Sequence, residues 1–220
     1  RRVELHLEVA HLAGARREEL EAVASEFPIP LRVAVSVGTG FVEVIRCVEH
    51  SGHDLVLVAS DSGTRRFGLA GASMAMHLLR KCPVSVWVDN GSEQLGPDVA
   101  VAVGPFDEAA MSDSLNAVLL ELGTSLAAMR SGALHVIHAW RLEGESQLRR
   151  SRHGPSAEQV DAMVVDAHRS AADGLKHLME FKPDVDVPVE VHLERGEPGD
   201  VVPRVIAQHH PGVVVMGTLA

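Results

Sequence analysis

Residues 30–60, PLRVAVSVGTGFVEVIRCVEHSGHDLVLVAS, fall without a gap on residues 188–218, PVEVHLERGEPGDVVPRVIAQHHPGVVVMGT, when the chain is shifted by 158 positions against itself. Pro30 meets Pro188, Gly38 meets Gly196 and Arg46 meets Arg204. The apolar positions Val44, Val48, Leu55 and Leu57 meet Val202, Ile206, Val213 and Val215. A segment that recurs in this way must build the same supersecondary unit twice. Each copy has the periodicity of a strand, a Gly-containing turn, an amphipathic helix and a second strand. Short connections of this kind join parallel strands, and the unbroken apolar runs LVLV and VVVM suit strands covered on both faces. The chain is therefore predicted to be α/β.

A second pairing sets LHLEVAH (5–11) on LHVIHAW (134–140), now at an offset of 129. The extra 29 residues of the second copy fall in 141–181, which reads as a polar loop and a long helix. The halves are trimmed at opposite ends. Only the second opens with a strand and helix, DVAVAVGPF followed by SLNAVLLELGTSLAAMR (98–130), and only the first closes with a helix and strand, MAMHLLRKCPVSVWV (74–88). Together they make one five-stranded unit, and stretches of a longer repeat are expected to be absent from the chain. The expected organisation is a first domain at 1–91, lacking its first strand and helix and having a short second helix, then a linker at 92–97. A second domain at 98–220 lacks its last helix and strand. The composition of NGSEQLGP (90–97) places the boundary.

A length of 220 residues accommodates two domains of about 100 residues each. No apolar run approaches the ~18 residues that span a bilayer, and the first stretch lacks the order of a signal peptide. The two cysteines, Cys47 and Cys82, fit neither a zinc knuckle nor a redox pair and are expected to be isolated core thiols in a reducing compartment, the cytoplasm. A net charge of −10, no basic stripe and no tyrosine argue against nucleic acid as a partner.

The segments SGHDLVLVAS, HLLRKCPVSVWV, SLNAVLLELGTSLA, LHVIHAW and VVVMGT resemble the universal stress protein family, and in particular its tandem, two-domain E-type members. The resemblance covers nearly the whole chain, and HLLRKCP followed by a VWV strand is its most specific piece. It implies two flavodoxin-like, doubly wound domains, each a five-stranded parallel sheet in the order 3-2-1-4-5. It further implies that the two pack as an intramolecular pseudo-dimer, in a protein that can also form a homodimer.

Many members of that family bind ATP in the crevice beyond the strand C-termini, at the topological switch point. Their phosphate loop, G-x2-G-x9-G-[ST], starts where the fourth strand ends. In the first domain this spacing selects Ala59, Ser62, Ala72 and Ser73, so all three glycines are replaced. Glycine in such loops supplies positive φ or lets backbone amides close on phosphate oxygens, and a methyl group forbids both. Ser60 and Gly63 lie in the same loop, and Gly63, Gly68 and Gly71 restore flexibility only in a shifted register. In the second domain the family's first-strand aspartate would follow VAVAV, where Val103 is followed by Gly104, Pro105 and Phe106. Met216, Gly217 and Thr218 match the fourth-strand end and the start of a phosphate loop, and its later glycine positions lie beyond Ala220. His138 is placed near a strand C-terminus facing the crevice.

Other chemistry is weaker in the sequence. SDSGTR (60–65) faintly resembles the phosphate loop of flavodoxins, but the chain offers few aromatic stackers for a flavin. Among thirteen histidines, pairs such as His50/His53, His135/His138 and His209/His210 invite a metal. His135 and His138, three apart on a strand, point to opposite faces and cannot share one ion, so no metal is expected. Ser73 with His77 suits a helix cap and first turn better than a nucleophile and base. The helix at 158–181 reads most simply as core packing, although a long amphipathic helix beside a crevice can also line an apolar pocket. The leading expectation is a non-enzymatic stress-response protein with a degenerate first nucleotide site and a crevice for a small molecule or partner. The alternatives are an ATP- or AMP-binding regulator that uses the loop starting at Gly217, with weak ATPase activity, and a flavin or phosphate-ester enzyme on the same fold.

Overall fold

The computed structural model describes residues 2–60, 74–91, 95–106, 110–151 and 154–217. The chain divides into two compact units, Arg1–Gly91 and Ser92–Leu219.

In the first unit, helices α1 (Arg2–Ala24) and α2 (Gly40–Ser51) precede strand β1 (Leu55–Ala59), helix α3 (Met74–Lys81) and strand β2 (Ser85–Asp89). β1 and β2 pair in parallel from Leu55↔Ser85 to Ala59↔Asp89. Val58 of β1 is buried with Ala75 and Leu78 of α3, and Phe41, Val44 and Ile45 of α2 pack against them. The apolar spacing of MAMHLLRK places Ala75 and Leu78 on one face of α3, which closes over the strand pair.

The strands expected at 5–11 and 30–37 are not there. Residues 5–11 lie within α1, and 31–37 carry neither helix nor strand. Among the described residues of the first unit the sheet has two strands, β1 and β2, and a segment not paired with them must satisfy its backbone groups elsewhere. A helix satisfies them internally. The cysteine expectation also needs correction: Cys82 is half-buried against the α3 cluster, but Cys47 is exposed on α2.

The second unit runs β3 (Val99–Ala102), α4 (Ala110–Arg130), β4 (Leu134–Trp140), α5 (Glu145–Arg150), α6 (Ala157–Glu180), β5 (Val189–Arg195), α7 (Pro198–His209) and β6 (Val213–Met216). Its four strands form one parallel sheet in the order β5-β4-β3-β6. The alternation of side chains along each strand divides the core in two. Val99, Val101, Leu134 and Val136 meet Leu119 and Leu120 of α4 and Leu175 and Leu178 of α6 on one face. Ala100 and Ile137 meet Val201, Val202 and Val205 of α7 on the other. α6 starts cleanly because Ser156 accepts from the Gln159 backbone N–H while the Gln159 side chain reaches back to the Ser156 N–H, a reciprocal cap.

The helix and second strand of the repeat, offset by 158 positions, recur in the backbone. α2 and α7 begin and end at equivalent positions, and β1 and β6 begin at equivalent positions. Gly38 and Gly196 share a positive φ, of 158° and 151°, and α2 and α7 both end in a left-handed corner, at Gly52 and His210. Of the expected linker, Gly96 and Pro97 are held on the second unit, where the Arg130 guanidinium donates to both carbonyl oxygens at 2.6 and 3.2 Å.

Candidate functional site

β3 lies between β4 and β6, and its chain continues to β4 on one side while its other neighbour, β6, arrives from α7. The strand order reverses there, so the β3 tail borders the crevice in which such sheets hold ligands.

His138 follows β3's last residues in register and is buried, 5% exposed. Its Nδ1 lies 2.9 Å from the Val103 carbonyl oxygen. A carbonyl only accepts, so Nδ1 carries the proton and Nε2 keeps its lone pair. Burial holds the imidazole below its ordinary pKa, against the opposing pull of that hydrogen bond. The Phe106 ring lies tilted on His138 with centroids 4.5 Å apart.

Gly104 sits between them with φ +114°. A Cβ there would lie 2.5 Å from His138 Nδ1 and 2.6 Å from Cε1. Its N–H donates to Asn116 Oδ1 at 2.9 Å, and Asn116 is 2% exposed on α4. Asn116, not singled out in the sequence, fixes the tail; the signal available was one amide in the apolar helix SLNAVLLELG. Phe106 then turns onto α6, where a Cβ on Gly174 would meet its ring at 2.7 Å.

Between α4 and α6 this leaves a groove of about 760 Å³. Phe106, Ala117 and Leu178 give it apolar walls, Ser114, Ser170 and Asp173 a polar rim, and Phe181 one end. α6 thus lines a groove of mixed apolar and polar character.

The predicted second-domain residues meet at one end of the sheet. Val103, Gly104 and His138 are in direct contact. Met216 pairs with Ala102, and Gly217 lies against α4, where a Cβ would be 2.8 Å from Leu115 Cδ2. In the first unit Ala59 ends β1 and the Ser60 N–H donates to the Asp89 carbonyl at 2.6 Å. Ser62, Gly63, Ala72, Ser73 and Thr218 lie outside the described residues. His135 and His138 do face opposite sides of the sheet: His138 meets the β3 tail, and His135 meets His192 at 3.1 Å. Among the described residues no helix is long and apolar enough to cross a membrane.

No family model matches the chain. Universal stress protein E of Escherichia coli is 28% identical over 195 residues, covering 87% of this chain and 59% of that protein. The universal stress protein E homologue of Haemophilus influenzae is 26% identical over 185 residues, covering 78% and 54%. The chain thus spans about three fifths of the E. coli relative's length. A functionally unknown protein of Pseudomonas aeruginosa superposes with a TM-score of 0.64 at 17% identity, over 94% of this chain and 67% of that one. A universal stress protein of Archaeoglobus fulgidus superposes with a TM-score of 0.56 at 16% identity, over 96% and 67%. The chain is thus similar in sequence to the E-type universal stress proteins, and it shares the α/β fold of these solved neighbours.

Proposed function

We propose that the chain belongs to a stress-response protein that acts by binding rather than by catalysis, with a small apolar or mixed ligand held in the α4–α6 groove. The observation that carries this reading is the Gly104–His138 contact. An acidic anchor for a nucleotide at position 104 would need both a strained φ and a displaced imidazole, while the same tail delivers Phe106 to the groove wall. A groove of several hundred Å³ with apolar walls and a few polar rim groups is the usual form of a small-molecule site. The two units are read as two copies of one domain, on the coincidence of α2 with α7 and β1 with β6.

Native mass spectrometry of the purified chain tests the reading. A co-purifying small molecule that is lost when Ser170 is replaced by Trp supports it, and a bare spectrum with no response to apolar metabolites overturns it.

A second reading has its own support. Gly217 stands at the end of β6 beside the β3 tail, where the family's phosphate loop would begin. ATP or AMP would then bind through that loop in a protein extending past Ala220. ATP with Mg²⁺ at 100 times Kd should add about 2.7 kcal/mol of stability. A clear rise in Tm on titration of a chain carrying the later residues favours the nucleotide.

A further inference from the structure

On the opposite face from the groove, β4, β5 and α7 bring four metal-binding side chains to one point. The register pairs His135 with Glu190 and Ile137 with His192, so His135, Glu190 and His192 share the face that α7 covers. α7 packs there through Val201, Val202 and Val205, and its last turn lays His209 over both strands. The His209 ring centroid is 4.6 Å from that of His135 and 4.7 Å from that of His192.

We propose that His135, Glu190, His192 and His209 form a tetrahedral site for a zinc-class divalent cation. One ligand atom from each residue lies within 4.8 Å of all the others. His135 Nδ1 is 3.1 Å from His192 Nε2 and 3.4 Å from Glu190 Oε2, while His209 Nδ1 is 3.7 Å and His192 Nε2 is 4.0 Å from the same carboxylate oxygen. Bonds of about 2.0–2.1 Å around a tetrahedral zinc set the ligand atoms about 3.3 Å apart. The spacing already found is within a few tenths of that for the closest pairs.

A second, independent observation concerns His135 itself. The residue is 3% exposed, and its buried Nε2 has no hydrogen-bond partner. An orphaned buried nitrogen is costly and calls for an explanation. Coordination through Nδ1 places the proton on Nε2, 3.9 Å from Asp98 Oδ2 and outside hydrogen-bond distance of it. Asp98 is itself fixed, accepting from the Ala133 N–H at 2.7 Å. Three imidazoles and one carboxylate suit zinc and its neighbours in the first transition row rather than magnesium or calcium.

The ion clamps two strands to the helix that covers them, so its signature is metal retention and not activity. The full chain, stripped with chelator and titrated with Co²⁺ and then Zn²⁺, is expected to show intense tetrahedral cobalt bands that one equivalent of zinc removes. Glu190→Gln and His209→Ala alter half-exposed side chains and leave the core intact, which circular dichroism checks. Each is expected to weaken cobalt binding at least 100-fold. His53→Ala, on the other unit, is expected to bind as the parent chain does. Weak octahedral bands in the parent chain, or undiminished binding in folded Glu190→Gln and His209→Ala, would overturn the site.

Discussion

Gly104 and His138 touch so closely that the glycine's missing methyl would occupy space now filled by the imidazole, 2.5 Å from Nδ1. Gly104→Ala therefore meets two penalties. The first is a φ of +114° that L-residues avoid, at about 1–2 kcal/mol. The second is overpacking of a buried ring, at about 1–3 kcal/mol. A total loss of about 2–5 kcal/mol is expected in urea denaturation, and a variant as stable as the parent would show that the tail is free to move away.

The same imidazole gives the chain a pH dependence of definite sign. Burial holds His138 below its ordinary value of 6.5. The unfolded chain thus takes up this proton at a pH where the folded chain does not, so stability falls as pH drops below about 6.5 and is unaffected by this residue above it. His138→Asn offers an amide N–H in place of Nδ1 and cannot titrate. Parent chain and variant should diverge little in Tm between about pH 7 and 8, with the parent losing more below pH 6. Parallel curves across the range would remove His138 as the source.

The groove is tested by filling it. Ser170 lies on the exposed rim of α6 facing the cavity, and Trp there would take up much of its volume. An apolar fluorescent probe that binds the parent chain should bind Ser170→Trp at least 10-fold more weakly, about 1.4 kcal/mol, with unchanged helix content by circular dichroism. Equal affinity would place the probe elsewhere.

What the sequence revealed, and what it hid, follows from where the deciding interactions lie. Strands β3, β4, β5 and β6 were readable because each has its own apolar pattern and its pairing partner in the chain. LHLEVAH carries much the same pattern as LHVIHAW but ends in a helix, since a strand is decided by its neighbours as much as by its residues. Gly104 and His138 could be placed at the crevice from strand ends alone. Asn116 could not, because its role depends on a hydrogen bond across 12 positions to a backbone N–H. The histidine cluster was hidden more deeply. Its members are 17 to 74 positions apart except for Glu190 and His192, whose spacing of two on a strand was the one local sign that they share a face.

The left-handed corner after α2 and α7 places the same bend in one molecule twice, once with a side chain and once without. Gly52 turns at φ 64° and His210 at φ 48°, each at equivalent distances from its helix. The chain is thus its own control for the cost of that bend, with solvent, length and fold held constant. Gly52→His should lose about 1 kcal/mol, and His210→Gly should be neutral or slightly stabilising. If the two exchanges cost the same, the bend tolerates a side chain equally at both sites, and the histidine that follows the last turn of α7 was kept for something other than its backbone.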